Sequence, residues 1–266
     1  MALALAPEEE RCGQGGASDR GPFSGDPSGG MELRVFSTGR TRARLVHRAD
    51  MLACEVVAGL HVATRAQVAA VLGGPSREVV SRLFRLGFLD RLETGRTPPA
   101  YAPGPVLRRR RGMELGVFTP ERFLRQVAAS QVYLALPGGE WRSEPRPGFQ
   151  ARWDCAGRTL WVICPREWPH EVAWFRRVVG SLREGEEVLV VAGTPVLAAE
   201  CARACPPGVR ACYTWDKAIV PGGSLRVWAW DGEEMVPAGG LPVGGAGFPA
   251  LVGLWRAFGR RRAGGR

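Results

Sequence analysis

Four side chains within residues 77–85 of this 266-residue chain, Arg77, Ser81, Arg82 and Arg85, are the set best suited to gripping a polyanion. Val79, Val80, Leu83 and Leu86 recur among them at helical spacing, which predicts an apolar inner face and leaves the four outward. Arginine forks pair with guanine edges or phosphates, and serine is short enough for a groove to come close. A solvated helix face is the blander account of the same pattern. Downstream, Arg91 and Arg96 belong to a turn-rich stretch, and Arg108, Arg109, Arg110 and Arg111 are consecutive. Both sets suit phosphate contact, although four consecutive arginines also mark many exposed linkers.

Other chemistry is thinner. The chain contains no Walker loop, no Gly-x-Ser-x-Gly elbow and no HExxH. Cys164 and His170 would make a thiol–base pair, but a strand-buried cysteine near a surface histidine is far commoner. The seven cysteines are odd in number, which argues against a disulfide framework. Cys201, Cys205 and Cys212 lack a paired Cys/His motif to complete a tetrahedral metal site, so buried free thiols are expected. No metal or cofactor is implied.

Charge is distributed unevenly. The net is +10, and residues 41–125 hold 15 Arg against 7 Asp and Glu, a local +8. Residues 256–266 add five Arg, while the start and the middle are slightly acidic. Lys217 is the only lysine, so the preference for Arg is compositional, but the localisation is not. Concentrated positive charge favours a nucleic-acid partner through counterion release. No stretch approaches the roughly 18 apolar residues of a membrane span. The opening MALALAPEEE lacks the basic start of a signal peptide, so a cytoplasmic location is expected.

The elements that must position these residues follow in order. Residues 1–30 are rich in Gly, Ser, Pro and charge and are expected to be disordered, with Met31 an alternative start. Residues 31–38 read as a short strand or arm. Residues 41–60 read as a first helix, with Leu45, Met51, Leu52, Val56 and Leu60 inward, and His47 and His61 as surface residues. Thr64-x-x-Gln67 is a capping box that opens a second helix ending at Gly73-Gly74. The arginine-bearing third helix starts at Pro75 or Ser76 and stops at Gly87, with Phe84 placed in the core. Residues 88–101 form a hairpin with a Gly/Arg/Pro tip. Helix, turn, helix and hairpin in this order is the pattern of a winged helix-turn-helix, whose second helix of the pair enters the DNA major groove.

Thr119-Pro120 opens a connecting helix that runs to Gly138-Gly139. Beyond it, residues 149–154 and 159–164 read as a hairpin, residues 168–182 as a helix, and EVLVVA (187–192) as a buried strand. A helix over 195–205 and strands over 209–215 and 225–230 complete a small α/β sheet. Residues 247–266 combine an apolar stretch with a basic end, fit for a membrane, a partner, DNA or plain solvent.

Together the two halves resemble the replication-relaxation family of plasmids and mobile elements. RLFRLGFLDRLETGRTPPAY carries most of the resemblance and PGFQARWDCAGRTLWVICP less, over residues 46–236. It implies a winged helix-turn-helix joined to a restriction-endonuclease-like domain. That domain would carry a Pro-Asp…(Asp/Glu)-x-Lys site, whose two carboxylates hold Mg²⁺ and whose Lys positions the attacking water. Here Pro147-Gly148 stands near the first acid position, Asp154 fits only a looser alignment, and Ile163-Cys164-Pro165 stands where acid-x-Lys belongs. A catalytically inactive domain follows, with Asp154, Glu167, His170 and Glu171 as the residues at which residual cleavage would be tested.

The expected organisation is therefore an α+β chain. A winged helix-turn-helix at 41–112 and a connecting helix at 113–138 precede a small endonuclease-like α/β domain at 139–237 and a basic tail. The expected function is sequence-selective binding of double-stranded DNA in replication, maintenance or its regulation. Arg77, Ser81, Arg82, Arg85, Arg91, Arg96 and Arg108–Arg111 would touch DNA, and a homodimer or a replication or transfer protein would be the other partner. The rivals are an atypical nuclease centred on Asp154 and a protein-interaction module built on the same helices.

Overall fold

The predicted capping box is formed in the computed structural model, which describes residues 31–45, 47–95, 97–136, 139–155, 157–219 and 225–238. Gln67 N donates to Thr64 Oγ1 at 3.2 Å, and Thr64 N donates to Gln67 Oε1 at 2.8 Å. These bonds satisfy two orphan donors and start helix α2 (Arg65–Leu72), which ends at a left-handed Gly73. Ser76 Oγ donates to Arg65 O at 2.8 Å, fixing the turn into α3 (Arg77–Arg85). Helix α1 (Arg48–Leu60) packs behind both. Val56, Val57, Leu60, Val68, Val80, Leu83, Phe88 and Leu89 make their common core. Burying each such side chain contributes roughly 1.5–3 kcal/mol.

A four-stranded antiparallel sheet flanks the helices. It comprises β1 (Arg34–Phe36), β2 (Ala63–Thr64), β3 (Leu89–Glu93) and β4 (Ala100–Pro103), in the order β1-β3-β4-β2. Gly87, at φ +76°, makes the corner between α3 and β3. A Cβ there would stand 2.8 Å from Arg40 O and 2.9 Å from Arg40 Cβ, so only glycine lets the N-terminal segment cross at this point. Helix α4 (Pro105–Arg111) follows β4, with Pro at its start and a left-handed Gly112 at its end.

Helix α5 (Pro120–Ala135) is buried on two sides, with Phe123, Leu124, Val127, Ala128, Ala129 and Val132 among its buried residues and Gln126 and Ser130 buried beside them. Phe123, Leu124 and Val127 pack with Val62, Leu92, Ala100 and Ala102 of the first half. Ala128, Ala129 and Val132 pack on the second sheet. Polar bonds reinforce the first contact: Gln67 Nε2 to Val127 O at 3.1 Å, Gln126 Nε2 to Leu60 O at 2.8 Å, and Ser130 Oγ to Val62 O at 2.6 Å. The predicted connector is thus a shared core element.

The second sheet has seven strands among the described residues, running from Met235–Pro237 at one edge to Glu140–Arg146 at the other. Strands β5 (Glu140–Arg146), β6 (Phe149–Cys155) and β7 (Arg158–Ile163) form an antiparallel meander. Strands β7, β8 (Glu187–Ala192) and β9 (Arg210–Trp215) run parallel, joined through α6 (Glu171–Val179) and α7 (Pro195–Ala204). After a 3-10 turn (Asp216–Ala218), β10 (Trp228–Trp230) and β11 (Met235–Pro237) return antiparallel. Helix α5 covers one face, while α6 and α7 cover the other with Phe175, Val179, Leu197 and Cys201. Val188–Val191 are fully buried, because both sides of β8 are covered. No helix among the described residues is long and apolar enough to cross a membrane.

The structure departs from expectation at several places. Helix α1 begins at Arg48, not Thr41, because residues 41–45 lie against the core as a non-helical segment through Ala43 and Leu45. Helix α6 begins three residues after Trp168, since backbone turns fill 168–170 and His170 takes a left-handed cap conformation. Phe84 is half-buried outside the core clusters. Residues 1–30 and the tail from 239, on which two expectations rested, lie outside the described residues.

Candidate nucleic-acid interface

Helix α3 presents Arg77, Ser81 and Arg85 to solvent at intervals of four residues, a stripe along one face. Arg77 has no protein partner among the described residues, and Arg85 Nε reaches only Ser81 O at 3.4 Å. Exposed Glu78 sits beside the stripe at the start of the helix, where its charge complements the helix dipole.

Arg82 does not belong to that face. Its Nε donates to both Asp50 carboxylate oxygens at 3.2 and 3.0 Å, and Nη2 donates to Oδ1 at 2.6 Å. The Asp50 side chain is 2% exposed against 33% for Arg82, so the fork reaches inward to a buried acid in the first turn of α1. These hydrogen bonds also hold the Arg82 guanidinium above its ordinary pKa. Its role is to brace α3 against α1.

The hairpin and α4 divide their arginines in the same way. Arg91 is exposed on β3 and pairs with Glu93. At the tip, Thr97 N donates to Thr94 Oγ1 at 3.1 Å, and the two hydroxyls lie 2.8 Å apart. Arg96 lies outside the described residues. The run Arg108–Arg111 is helical instead of a linker, which spreads its side chains around an axis. Arg108 reaches buried Asp90 at 3.4 Å, Arg111 pairs with Glu55, and Arg110 donates to Ala43 O while lying over the Phe88 ring. Arg109 alone of the four is exposed with no protein partner among the described residues. Arg77, Ser81, Arg85 and Arg109 are therefore the sequence-predicted side chains most available to a ligand.

The second half places a different chemistry at the positions where the resemblance implies a metal site. Gly148, at φ +87°, would press a Cβ to 2.7 Å from Val178 Cγ2, so no acid fits that position. Asp154 accepts from Thr159 Oγ1 at 2.5 Å and Arg152 Nη2 at 2.9 Å, near the far end of the β6–β7 hairpin from Cys164. Cys164 N donates to Gln150 Oε1 at 2.7 Å where the strands part. Burial pushes the Cys164 thiol up to about 12, so it stays protonated, and exposed His170 does not make it a nucleophile at neutral pH. Two residues on, Arg166 is fully buried, and its Nη1 grips both oxygens of Asp216 at 2.9 and 3.0 Å. Burial opposes its charge, and the facing Asp216 carboxylate more than offsets that.

A second pair lies alongside. Arg125 Nη2 contacts both Glu171 oxygens at 2.9 and 2.8 Å, and its guanidinium lies 3.6 Å from the Trp174 ring centroid. Glu171 also accepts from Arg166 N at 3.0 Å. Burial lowers the Arg125 pKa and raises that of Glu171. Both Glu167 oxygens are buried without a hydrogen-bond partner among the described residues. Among those residues no three of His, Cys, Asp and Glu converge as metal ligands. Sequence reading missed Arg125, Arg166 and Asp216. The one local signal was an arginine following an apolar strand in WVICPR.

Comparison with family models gives no match. Comparisons with characterised proteins and with solved structures give none either.

Proposed function

We propose that residues 48–103 form a winged helix-turn-helix that binds double-stranded DNA, with α3 in the major groove and the β3–β4 hairpin as the wing. The observation that carries this reading is the Arg77–Ser81–Arg85 stripe, left solvent-facing while Arg82 on the same helix is tied to Asp50. The order α1-β2-α2-α3-β3-β4, with β2 paired to β4, supports it. So does the resemblance to the replication-relaxation family, which would place the protein in plasmid or mobile-element replication, maintenance or its regulation. Arg109 and the hairpin add phosphate contacts, and Arg91 joins them where its pair with Glu93 opens.

The second half is, on this reading, an endonuclease-like fold without cleavage machinery, serving self-association or a partner. Gly148 and Cys164 at the expected acid positions, with Arg166 committed to Asp216, support this role. Fluorescence anisotropy with a labelled 30-bp duplex tests the binding. Arg77→Ala with Arg85→Ala should weaken it and lower the salt slope by about 1 per residue. Unchanged affinity and slope would sink the groove assignment. Mg²⁺- or Mn²⁺-dependent nicking that vanishes in Asp154→Ala would instead restore a nuclease.

A further inference from the structure

Residues 37–45, Ser-Thr-Gly-Arg-Thr-Arg-Ala-Arg-Leu, hold three arginines that the reading above leaves unused: Arg40, Arg42 and Arg44. The segment is neither helix nor strand, yet it is held at several points. Ahead of it, β1 pairs with β3. Arg40 crosses directly over Gly87, the corner that ends α3. Ala43 O accepts from Arg110, and Ala43 and Leu45 pack on the core behind α1. The inward Ala43 and Leu45 alternate with exposed Arg42 and Arg44.

No acid occurs between residues 33 and 49, and Arg40, Arg42 and Arg44 have no protein partner among the described residues. By contrast, Arg91, Arg108 and Arg111 nearby all have acidic partners. The contacts order the unpaired cations along one path. Arg85 lies two residues before Gly87, Arg40 sits on Gly87, Arg42 and Arg44 flank Ala43, and Arg109 adjoins the Arg110 that holds Ala43. Alternate side chains on a non-helical chain lie roughly 6–7 Å apart. A row of guanidinium groups without protein partners among the described residues, on a segment held through its backbone, suits successive phosphates of one strand.

We propose that residues 40–44 form a second DNA contact, a phosphate clamp that extends the α3 stripe to Arg109 along the duplex backbone. The proposal rests on the winged-helix reading and adds a surface to it. The clamp holds charge without reading bases, so lysine serves in it as well as arginine.

Its test uses the full chain and a labelled 30-bp duplex of random sequence, titrated across salt concentrations. Arg40→Ala, Arg42→Ala and Arg44→Ala together should reduce the log–log salt slope by about 2 to 3. The three Lys replacements should keep the slope near that of the unaltered protein. Thermal melting should be unchanged in both variants, because the three side chains have no internal partners. An unaltered chain that binds duplex while the alanine variant keeps its full slope overturns the clamp alone. An unaltered chain that binds no duplex overturns the winged-helix reading and the clamp with it. Loss of binding to anionic phospholipid vesicles, with duplex binding intact, would reassign the arm to a membrane surface.

Discussion

The first half and the second half use arginine in opposite ways. Around α3, Arg77, Arg85 and Arg109 are exposed with no carboxylate partner among the described residues, beside an arm whose three arginines likewise have none there. Around the ends of β7 and β9, Arg166 and Arg125 are withdrawn from water, each gripped by a carboxylate. Arg82 marks the boundary, lying on the exposed helix but turned toward buried Asp50. The difference shows that local charge density alone does not identify a binding surface. What matters is whether the fold supplies the counter-charge itself.

The contrast is broken most severely in the buried set. Asp216→Ala would leave Arg166 charged and unpaired at a fully buried position, at a cost of about 3–5 kcal/mol. Urea unfolding should show that loss, and an unchanged midpoint would place Arg166 in contact with water. Arg82→Ala should cost less, on the order of 2 kcal/mol, because it leaves Asp50 without its donors while removing a side chain that is already one-third exposed. Any weakening of DNA binding in that variant should follow the unfolded fraction, so a binding defect at full folding would return Arg82 to the interface.

Acid provides a third probe, directed at the seam between the halves. Burial alone would raise the Glu144 pKa, but hydrogen bonds from Arg122 of α5 and His61 beyond α1 outweigh it and bring the value to about 2. A folded-state value below the ordinary 4.5 stabilises the native protein above that pH, and the contribution disappears as pH falls toward 2. Glu144→Gln should flatten stability between about pH 4.5 and 2, with a loss at neutral pH of at most about 2 kcal/mol. A steep acid limb that survives the substitution would assign it to other carboxylates. The smallest stability effect belongs to the exposed set: Arg77→Ala with Arg85→Ala should shift unfolding by no more than about 0.5 kcal/mol per site. A larger shift would mean the stripe has internal partners.

Much of this arrangement is legible in the sequence. Local chemistry was the easiest part to read, as the Thr64–Gln67 box, the Gly73 stop and the strand EVLVVA are each complete within a few residues. The third helix was also clear, because its apolar positions repeat without interruption. Its outward set was read one residue too generously. Helical spacing puts Arg82 beside Ser81, and only the placement of Asp50, 32 residues earlier, turns it inward. Arg166 was hidden for the same reason, since its partner is 50 residues away. Strand β5, EWRSEPR, carries almost no apolar signal because it is an edge strand with a bulge after Ser143. Residues 41–45 read as helix because Leu45 fits the periodicity of α1 by chance, while the packing of Ala43 and Leu45 on the core is tertiary.

Helix α5 has a mechanical consequence. Gln126 and Ser130 tie it to the backbone of residues 60 and 62, and its opposite side is sunk into the seven-stranded sheet. The two halves therefore share this helix as a common wall. On the proposed reading, a partner bound to the sheet would take its bearing relative to α3 from this one helix, so that what it captured would arrive already aimed.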